Sequence, residues 1–492
     1  MNHPLLLEIN TRCWLHELSS LAGRTLTLAE VPAAEFVRWT NLGFTHLWLM
    51  GVWETSPRSR AVALETPELR AEFDRALPDW RDVDVAGSPY AIAGYRVSDA
   101  LGGEAALKQF RQRLLDHGLK LVLDFIPNHL GLDHPWLREH PEFFVQSPSP
   151  VPESWRLETE QGAVWIAHGK DPHFPAWTDT AQLDYRRIAT REAVRAKLES
   201  VAARCDGVRC DMAMLVLNDV FASTWAAFPG GLAPEMEFWA EAIVAVKRER
   251  PDFLLVAEAY WGLEARLQTL GFDFTYDKPL CDLLSESRTA DVPRHLLETP
   301  PGRVEASVHF LENHDEPRIV SRLDFEAHRA AALVVLGLPG LRLLHDGQIT
   351  GARIHTPVQL ARRLAEPPEP NLTRFYQETL TVLADNDVGR GQGVLLRARS
   401  AWPGNATQEN FVLVQWQTAV PEFDLVVVNL SAQRAQCYAP LSVPALSNYN
   451  WSLRDLLGTE VWGRFGTDLE RQGLYLDIAP FAAQLFHFQP IH

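Results

Sequence analysis

The 492-residue sequence predicts an α/β protein whose core is a closed (β/α)8 barrel, with an insertion after the third strand and an all-β C-terminal domain. Apolar runs alternate with amphipathic helical patterns from about residue 30 to 390, and eight such runs are present. Eight repeats in one block favour a closed parallel barrel over an open doubly wound sheet. No G-x-G-x-x-G or phosphate-binding loop follows any run, which also argues against a nucleotide-binding sheet.

The predicted strands are apolar runs of a length that suits buried parallel strands. They lie at 46–54, 91–97, 121–126, 207–211, 253–258, 272–276, 306–312 and 341–345. Between the second and third of them, residues 104–118 have an amphipathic helical pattern that ends at a glycine, as a C-terminal cap would.

Two segments depart from the alternation. Residues 130–206 are rich in Pro, Trp and His, and a connection this long between two strands is usually a functional insertion. Residues 391–492 contain alternating apolar strands separated by turn residues, with little helical periodicity. We therefore expect a barrel domain over 1–390, with 130–206 inserted after the third strand, and a C-terminal β-sandwich domain over 391–492.

Composition narrows the class of protein. The formal net charge is -17, which argues against nucleic acid or an anionic membrane as a partner because both require a basic surface. The first residues lack a signal-peptide pattern, and no apolar run reaches the length of a membrane span. The five cysteines are scattered without C-x-x-C spacing, which predicts free thiols in a reducing cytoplasm and no zinc site. The oligomeric state stays open.

Four of the predicted strands end in polar residues. They read LVLDFIPNH (121–129), GVRCD (207–211), LLVAEA (254–259) and FLENHD (310–315). The C-terminal ends of barrel strands form the face that carries active sites. Asp211, Glu258 and Asp315 are the main candidates, since a carboxylate at the end of an apolar strand is costly to bury unless it is paired or used. Two carboxylates that flank a sugar C–O bond are the minimum for glycoside cleavage.

In this order, the four stretches resemble the α-amylase superfamily, glycoside hydrolase family 13, which contains retaining glycosidases and transglycosidases. The resemblance covers nearly the whole chain, including the insertion and the C-terminal β domain. It implies that Asp211 is the nucleophile and Glu258 the general acid/base. Asp315 matches the third carboxylate, which binds sugar hydroxyls and favours ring distortion.

The resemblance also implies a substrate-binding set, which consists of Tyr90, Asp124, His129, Arg209 and His314. Arg209 and Asp211 are two residues apart on one strand and so face the same side, where the cation would keep the carboxylate ionised. Tyr90 would stack on the attacked sugar, and the two histidines would contact its hydroxyls. Asp124 would support the Arg209–Asp211 pair. No cofactor is implied, no metal ligand is assigned, and Asn128 alone leaves a Ca2+ ion open.

The sequence departs from the family pattern beside the nucleophile. Met214 and Leu215 replace the Lys-His of typical α-amylases, which predicts a less polar rim and argues against the usual calcium. The eighth strand ends in LLHDGQITG (343–351), so we expect a distinctive rim near Asp346 and Gln348. The stretches DHPWLREHPEFF and NHDEPR resemble the oligo-1,6-glucosidase and trehalose synthase side of the family. HTPVQLARR (355–363) is similar to glycogen maltosyltransferases.

The implied function is hydrolysis of α-glucosidic bonds in maltodextrins or short α-glucosides, through a covalent glycosyl-enzyme and with retention. The two reacting carboxyl groups should then lie about 5–5.5 Å apart. Two alternatives stay open. One is a transglycosylase that uses the same site, moving a glucosyl or maltosyl unit to a sugar, polyol or phosphate acceptor. The other is a non-catalytic carbohydrate-binding protein, for which the loss of one catalytic carboxylate would be expected.

Overall fold

Eight parallel strands close into a barrel in the computed structural model, which describes residues 3–160, 162–232 and 234–491. In chain order they are β1 (Leu5–Asn10), β2 (His46–Met50), β3 (Lys120–Phe125), β4 (Gly207–Cys210), β5 (Leu254–Ala257), β6 (Phe274–Tyr276), β7 (Ser307–His309) and β8 (Leu341–His345). Each strand pairs with its sequence neighbours, and β8 pairs with β1 to close the barrel. The predicted (β/α)8 barrel is confirmed.

One of the eight predicted strands was wrong. Residues Ile92–Val97 do form a strand, but it pairs antiparallel with Trp53–Thr55 outside the barrel. Its middle residues are partly exposed, whereas a parallel barrel strand is covered on both faces. The missing barrel strand is β1, whose six residues are all buried. The alternation of barrel strands and helices thus begins at residue 5 and not near residue 30.

The barrel interior is packed with side chains from alternate strand positions. Leu6, Val122, Val256, Val308 and Leu343 belong to one buried cluster inside it. Side chains two residues apart on a strand point to the same side. The sequence positions that follow these apolar residues by two therefore also face inward, at the C-terminal end of the barrel.

Helices surround the barrel and connect its strands. The α-helices of eight or more residues are Thr11–Ala22, Ala33–Asn41, Pro57–Glu65, Pro67–Ala76, Gly103–Asp116, Ile188–Ala202, Phe238–Glu249, Lys278–Ser285, Phe325–Gly337 and Pro370–Leu383. Shorter ones are Trp136–Glu139, Asn218–Thr224, Glu264–Thr269, Val292–Glu298, Pro301–Glu305 and Gly466–Gln472. No helix in the described ranges is both long and apolar enough to cross a membrane.

The segment between β3 and β4 forms small sheets above the barrel. His129–Gly131 pairs with Thr180–Gln182. A three-stranded sheet contains Gln146–Ser147, Gly162–Ala167 and Ser154–Thr159, in that spatial order. The segment therefore has structure of its own, up to the helix Ile188–Ala202 that leads back into β4.

The C-terminal region is an all-β unit of two sheets. The six-stranded sheet has the spatial order Gln392–Leu395, Phe411–Gln417, Phe423–Asn429, Ala483–Ile491, Asn450–Asp455 and Val461–Phe465. The three-stranded sheet contains Arg399–Ser400, Ala435–Ala439 and Leu474–Ile478. Side chains between the two sheets form a second core. The exact domain boundary near residue 390 stays a prediction.

The six-stranded sheet packs on the barrel through helix Phe325–Gly337. Val426 and Val428 belong to the same buried cluster as the barrel helices. Trp416 Nε1 donates a hydrogen bond of 2.8 Å to the carbonyl oxygen of Gly337. The two domains thus share one apolar interface.

All five cysteines are unpaired and buried. The predicted free thiols are therefore present in the structure. Burial raises the pKa of the Cys13 thiol to about 12, which makes this thiol a poor nucleophile.

The shared interface predicts a destabilising substitution. A Cβ added at Gly337 would lie 2.8 Å from Val426 Cγ1, too close for a stiff β-branched neighbour to accept without movement. We expect Gly337→Ala to lower the free energy of unfolding by about 1–3 kcal/mol, measured as a lower midpoint in guanidinium. Gly463→Ala is the matched control, because nothing lies within 4 Å of its added Cβ. Equal unfolding midpoints for Gly337→Ala and Gly463→Ala would contradict the close packing of Gly337 against Val426.

Candidate active site

A cavity of about 920 Å³ opens at the C-terminal ends of the barrel strands. Tyr90, His129, Asp211, Glu258 and Asp315 all line it, although they come from distant parts of the chain. The other three predicted site residues, Asp124, Arg209 and His314, lie buried beneath these lining residues. The structure therefore brings the whole predicted set together at one place.

The Arg209 guanidinium lies at the centre of the site. Its Nη1 donates a hydrogen bond of 2.8 Å to Asp211 Oδ1, and its Nη2 lies 2.8 Å from Glu258 Oε2. Its Nε donates to Tyr276 Oη at 3.2 Å. Arg209 is only 1% exposed, so a single buried cation contacts and aligns both carboxyl groups.

Asp124 supports this cation from below. Its Oδ1 lies 3.9 Å from Arg209 Nη1. The Trp48 indole N–H and the Gly51 backbone N–H donate to its two oxygens at 3.2 and 3.3 Å. Burial raises the pKa of Asp124 to about 7, although the charge of Arg209 opposes that rise.

Glu258 has a hydrogen-bond donor on each oxygen. The Met212 backbone N–H donates to Oε2 at 2.7 Å, and the Tyr260 hydroxyl donates to Oε1 at 2.8 Å. Burial raises the pKa of Glu258 to about 7; Arg209 opposes this and Asp211 adds to it. A carboxyl group with a pKa near 7 can hold its proton in neutral solution and donate it.

Asp211 is the other carboxyl group that contacts Arg209. Burial raises its pKa, while the charge of Arg209 and the hydrogen bond from it favour the ionised form. After Asp211 the chain turns sharply, because Met212 adopts a left-handed conformation with φ of 43°. This strained turn directs the Met212 N–H at Glu258 and so links the two carboxyl groups through the backbone.

Asp315 is linked to the barrel through His314. The His314 Nε2 lies 3.1 Å from Asp315 Oδ2, and its Nδ1 lies 2.5 Å from Glu8 Oε1. Burial alone would lower the pKa of His314, but the two carboxylates outweigh it and raise that pKa well above its ordinary value. Burial likewise opposes the ionisation of Asp315, yet the neighbouring imidazolium lowers its pKa.

Glu8 belongs to this site although the sequence does not predict it, as do Tyr260 and Tyr276. It is fully buried on β1 and faces the same interior as Asp124 and Arg209. The available signal was a lone acidic residue inside the apolar run LLLEIN. No helical pattern precedes that run, so the alternation of strands and helices does not identify it as a barrel strand.

Tyr90 and His129 form one wall of the cavity. The Tyr90 ring stacks on His314 with centroids 5.3 Å apart, and the His129 ring lies 5.0 Å from the Trp177 ring. Burial lowers the pKa of His129 to about 3, so its imidazole is neutral at physiological pH. A neutral imidazole can both donate and accept hydrogen bonds with sugar hydroxyls.

Asn128 is engaged within the protein. Its Nδ2 donates to Gln182 Oε1 at 3.2 Å, and Gln182 Nε2 donates back to its Oδ1 at 3.0 Å. Among the residues that the structure describes, no three His, Cys, Asp or Glu side chains are arranged to hold a metal ion. The reciprocal amide pair leaves Asn128 poorly suited to be a calcium ligand.

The residues at the rim of the cavity differ from those that the sequence suggested. Met214 and Leu215 are 0% and 2% exposed in the short helix Ala213–Val216 and do not reach the cavity. Asp346 pairs with Arg363 at 2.8 Å. Gln348, also expected there, is buried and donates to the Tyr376 hydroxyl. The expectation that these residues shape the rim was therefore wrong, because the turn after Asp211 buries the first pair and local contacts hold the second.

Two loops form the outer rim instead. One belongs to the insertion and carries Asp171, Phe174 and Asp179; the other follows β5 and carries Trp261 and Glu264. The rings of His173 and Trp261 meet with centroids 4.6 Å apart and join the two loops. We call the five lining residues of these loops the outer rim.

Comparison with known families agrees with this geometry. Residues 39–359 match the model of the alpha-amylase catalytic domain, and the chain therefore belongs to the α-amylase family of glycoside hydrolases.

The chain is 26% identical over 282 residues to the alpha-amylase MalA of Haloarcula japonica, covering 55% of this chain and 38% of MalA. It is 22% identical over 416 residues to a cyclomaltodextrinase of Geobacillus thermopakistaniensis, covering 81% and 64% of the two chains. The chain thus spans less than two thirds of the length of these relatives.

A solved structure has the same fold over almost the entire chain. The noncanonic maltogenic alpha-amylase AmyB from Thermotoga neapolitana superposes with a TM-score of 0.67 and covers 99% of both chains, at 18% sequence identity. At that identity the likeness concerns the fold, which includes the barrel and the C-terminal sheets.

The electrostatics of the site give a direct prediction. Asp211→Asn removes a negative charge next to Glu258 and leaves Arg209 free to interact with it, so the pKa of Glu258 should fall below about 7. Carbon-13 NMR of the labelled Glu258 carboxyl group would measure this. The exposed substitution Glu470→Gln is the control and should leave the titration unchanged. An unchanged or higher pKa in Asp211→Asn would contradict the coupling through Arg209.

Proposed function

We propose that this α-amylase family member hydrolyses α-glucosidic bonds in maltodextrins or short α-glucosides by a retaining mechanism. The observation that carries the proposal is the contact of one buried guanidinium, Arg209, with both Asp211 and Glu258. It holds two carboxyl groups side by side in a cavity large enough for a sugar chain. Both are paired with Arg209, and burial raises the pKa of Glu258 to about 7, a value that suits a general acid.

In the first step Glu258 donates its proton to the glycosidic oxygen while Asp211 attacks the anomeric carbon. The C–O bond to the leaving group breaks, and an ester bond to Asp211 forms. The hydrogen bonds from Met212 and Tyr260 hold the Glu258 carboxyl group in place during the transfer. Its negative charge after the transfer is balanced by Arg209.

In the second step Glu258, now ionised, takes a proton from water. The resulting hydroxide equivalent attacks the anomeric carbon and releases the sugar from Asp211. Two inversions at one carbon give overall retention. If a sugar hydroxyl takes the place of water, the same step becomes transfer.

The remaining predicted residues would bind the attacked sugar. Asp315 is 48% exposed on its side chain and can accept hydrogen bonds from two hydroxyls, while the cation of His314 keeps it ionised. Tyr90 offers a ring face and His129 a neutral imidazole. Glu8 lies beneath His314 and would act as a positioning residue.

Removing either reacting carboxylate tests the assignment. Asp211→Asn and Glu258→Gln should each lower kcat by about 10²- to 10⁴-fold or more, because each step requires one of them. Circular dichroism should show an unchanged fold. Glu258→Gln should regain the first step on an aryl α-glucoside whose leaving group needs no protonation. Near-full activity of either variant on maltose would exclude that residue from its role.

The pH dependence follows from the pKa of Glu258. Because the acid must be protonated, kcat/KM should fall as pH rises through about 7. The fall should vanish for the aryl α-glucoside with a good leaving group, which serves as the internal control. A profile that rises through pH 7 on maltose would contradict a protonated Glu258 as the acid.

Product analysis tests the proposal as a whole. The purified protein is incubated with maltose through maltoheptaose, isomaltose, trehalose and sucrose, with and without glycogen. We expect free glucose or maltose, released first as the α-anomer in proton NMR. Mainly longer or rearranged products would favour the transglycosylase alternative. Binding without turnover, with Asp211 and Glu258 intact, would leave a carbohydrate-binding protein.

A further inference from the structure

The cavity above the reacting carboxylates is strongly acidic. Among the lining side chains that the structure describes, one is a lysine and eight are carboxylic acids, namely Asp171, Asp179, Asp211, Glu258, Glu264, Asp282, Asp315 and Glu316. Charges that line a recessed cavity create a field that attracts ligands of the opposite sign and repels those of the same sign. Only three of the eight belong to the proposed reaction, so the other five require an explanation.

The two cations that contact the candidate catalytic carboxylates are already paired. Arg209 contacts Asp211 and Glu258. His314 lies between Asp315 and Glu8. These groups therefore offer no net positive charge to a ligand that carries an anionic group.

The lysine of the cavity is neutralised in the same way. Lys278 Nζ pairs with Asp282 four residues later on its own helix, and it lies 3.1 Å from Glu316 Oε1. Because two carboxylates face one ammonium group, this part of the cavity carries a net negative charge. Lys170, the basic residue that precedes the insertion loop, is paired with Glu153 at 2.7 Å.

Two carboxylates of the outer rim lack such partners. No ion pair or hydrogen bond to another residue is made by the Asp179 or Glu264 side chain within the part of the chain that the structure describes. Both line the cavity. They are free to meet a positively charged group on a ligand.

The outer rim also lies on the side of the leaving group. Glu258 must face the glycosidic oxygen, and the loop that carries Trp261 and Glu264 continues directly from it. The contact between His173 and Trp261 places the insertion loop beside that loop. Phe174 and Trp261 are 67% and 41% exposed, and aromatic faces next to carboxylates are a favourable environment for an ammonium group.

We propose that the cavity selects the leaving group, or the acceptor in transfer, by charge: an amine-bearing sugar or alcohol is preferred over a neutral one, and a phosphorylated or carboxylated one is excluded. Asp179 and Glu264 are the specificity-determining residues, and Lys278 is kept from binding anions by Asp282 and Glu316. The inference rests on the proposed function, because it assumes that the glycoside enters this cavity.

Three glucosides that differ in the charge of one para substituent test the selection. They are the 4-(aminomethyl)phenyl, 4-methylphenyl and 4-carboxyphenyl 1-thio-α-D-glucosides, whose sulfur-linked bond resists hydrolysis. Their Kd values are measured by calorimetry on the intact protein at low ionic strength. We expect the ammonium compound to bind at least about tenfold more tightly than the carboxylate, with the methyl compound between them. The ratio should shrink towards one in 0.5 M salt, where the Debye length falls to about 4 Å.

Variants test which residues set the ratio between the Kd values of the ammonium and carboxylate compounds. Asp179→Asn combined with Glu264→Gln should reduce the preference for the ammonium compound, and Glu470→Gln on the C-terminal domain should not. Asp282→Asn combined with Glu316→Gln should free Lys278 and raise the affinity for the carboxylate. Equal or tighter binding of the carboxylate by the unmodified protein at low salt would overturn the proposal. Hydrolysis of the oxygen-linked 4-methylphenyl α-D-glucoside tests the proposed function separately, since it does not depend on the charge ratio.

Discussion

The site depends on one buried cation. Arg209 contacts Asp211, Glu258 and Tyr276 and lies 3.9 Å from Asp124. Removing three carboxyl groups from water without this charge would be prohibitively costly. The aromatic rings of Trp48 and Tyr90, each with its centroid 5.2 Å from the guanidinium carbon, cover the faces of the cation and exclude water from it. The strand ends, the strained turn at Met212 and the apolar interior below all serve to hold this cluster together.

The site gives three chemically similar carboxyl groups different surroundings. Asp211 and Glu258 share a cation, but only Glu258 receives two hydrogen bonds from neutral donors, Met212 and Tyr260. Asp315 has a cation of its own in His314. Three carboxyl groups within one cavity can therefore differ in protonation at the same pH, which acid, nucleophile and binding roles require.

Much of this could be predicted from the sequence, and the reasons are local. Buried parallel strands are short apolar runs, and an Asp or Glu directly after such a run is costly to bury unless it is paired or takes part in chemistry. Because Arg209 and Asp211 are two residues apart on one strand, their side chains point to the same side of the sheet. These features identified the barrel and the three candidate carboxylates, whereas the five substrate-binding residues followed from the resemblance to the family. Their chemical roles stay predictions until activity is measured.

What could not be predicted depends on contacts between distant segments. The run LLLEIN lacks a preceding helix, while Ile92–Val97 resembles a strand in composition but lies outside the barrel. Whether Met214 and Leu215 line the cavity depends on the sign of one φ angle at Met212. The outer rim arises where an insertion loop meets the loop after β5, a meeting that no local pattern encodes.

The contact between Glu8 and His314 has a consequence for how the protein is made. It joins residues 306 positions apart in the chain, and β1 also needs β8 as its neighbour. A ribosome that has completed the first seven strands has therefore produced the reacting carboxylates but no closed barrel around them. Closing so long a loop is an entropically late event. A nascent or truncated chain should thus stay inactive until β8, which ends at His345, has left the ribosome.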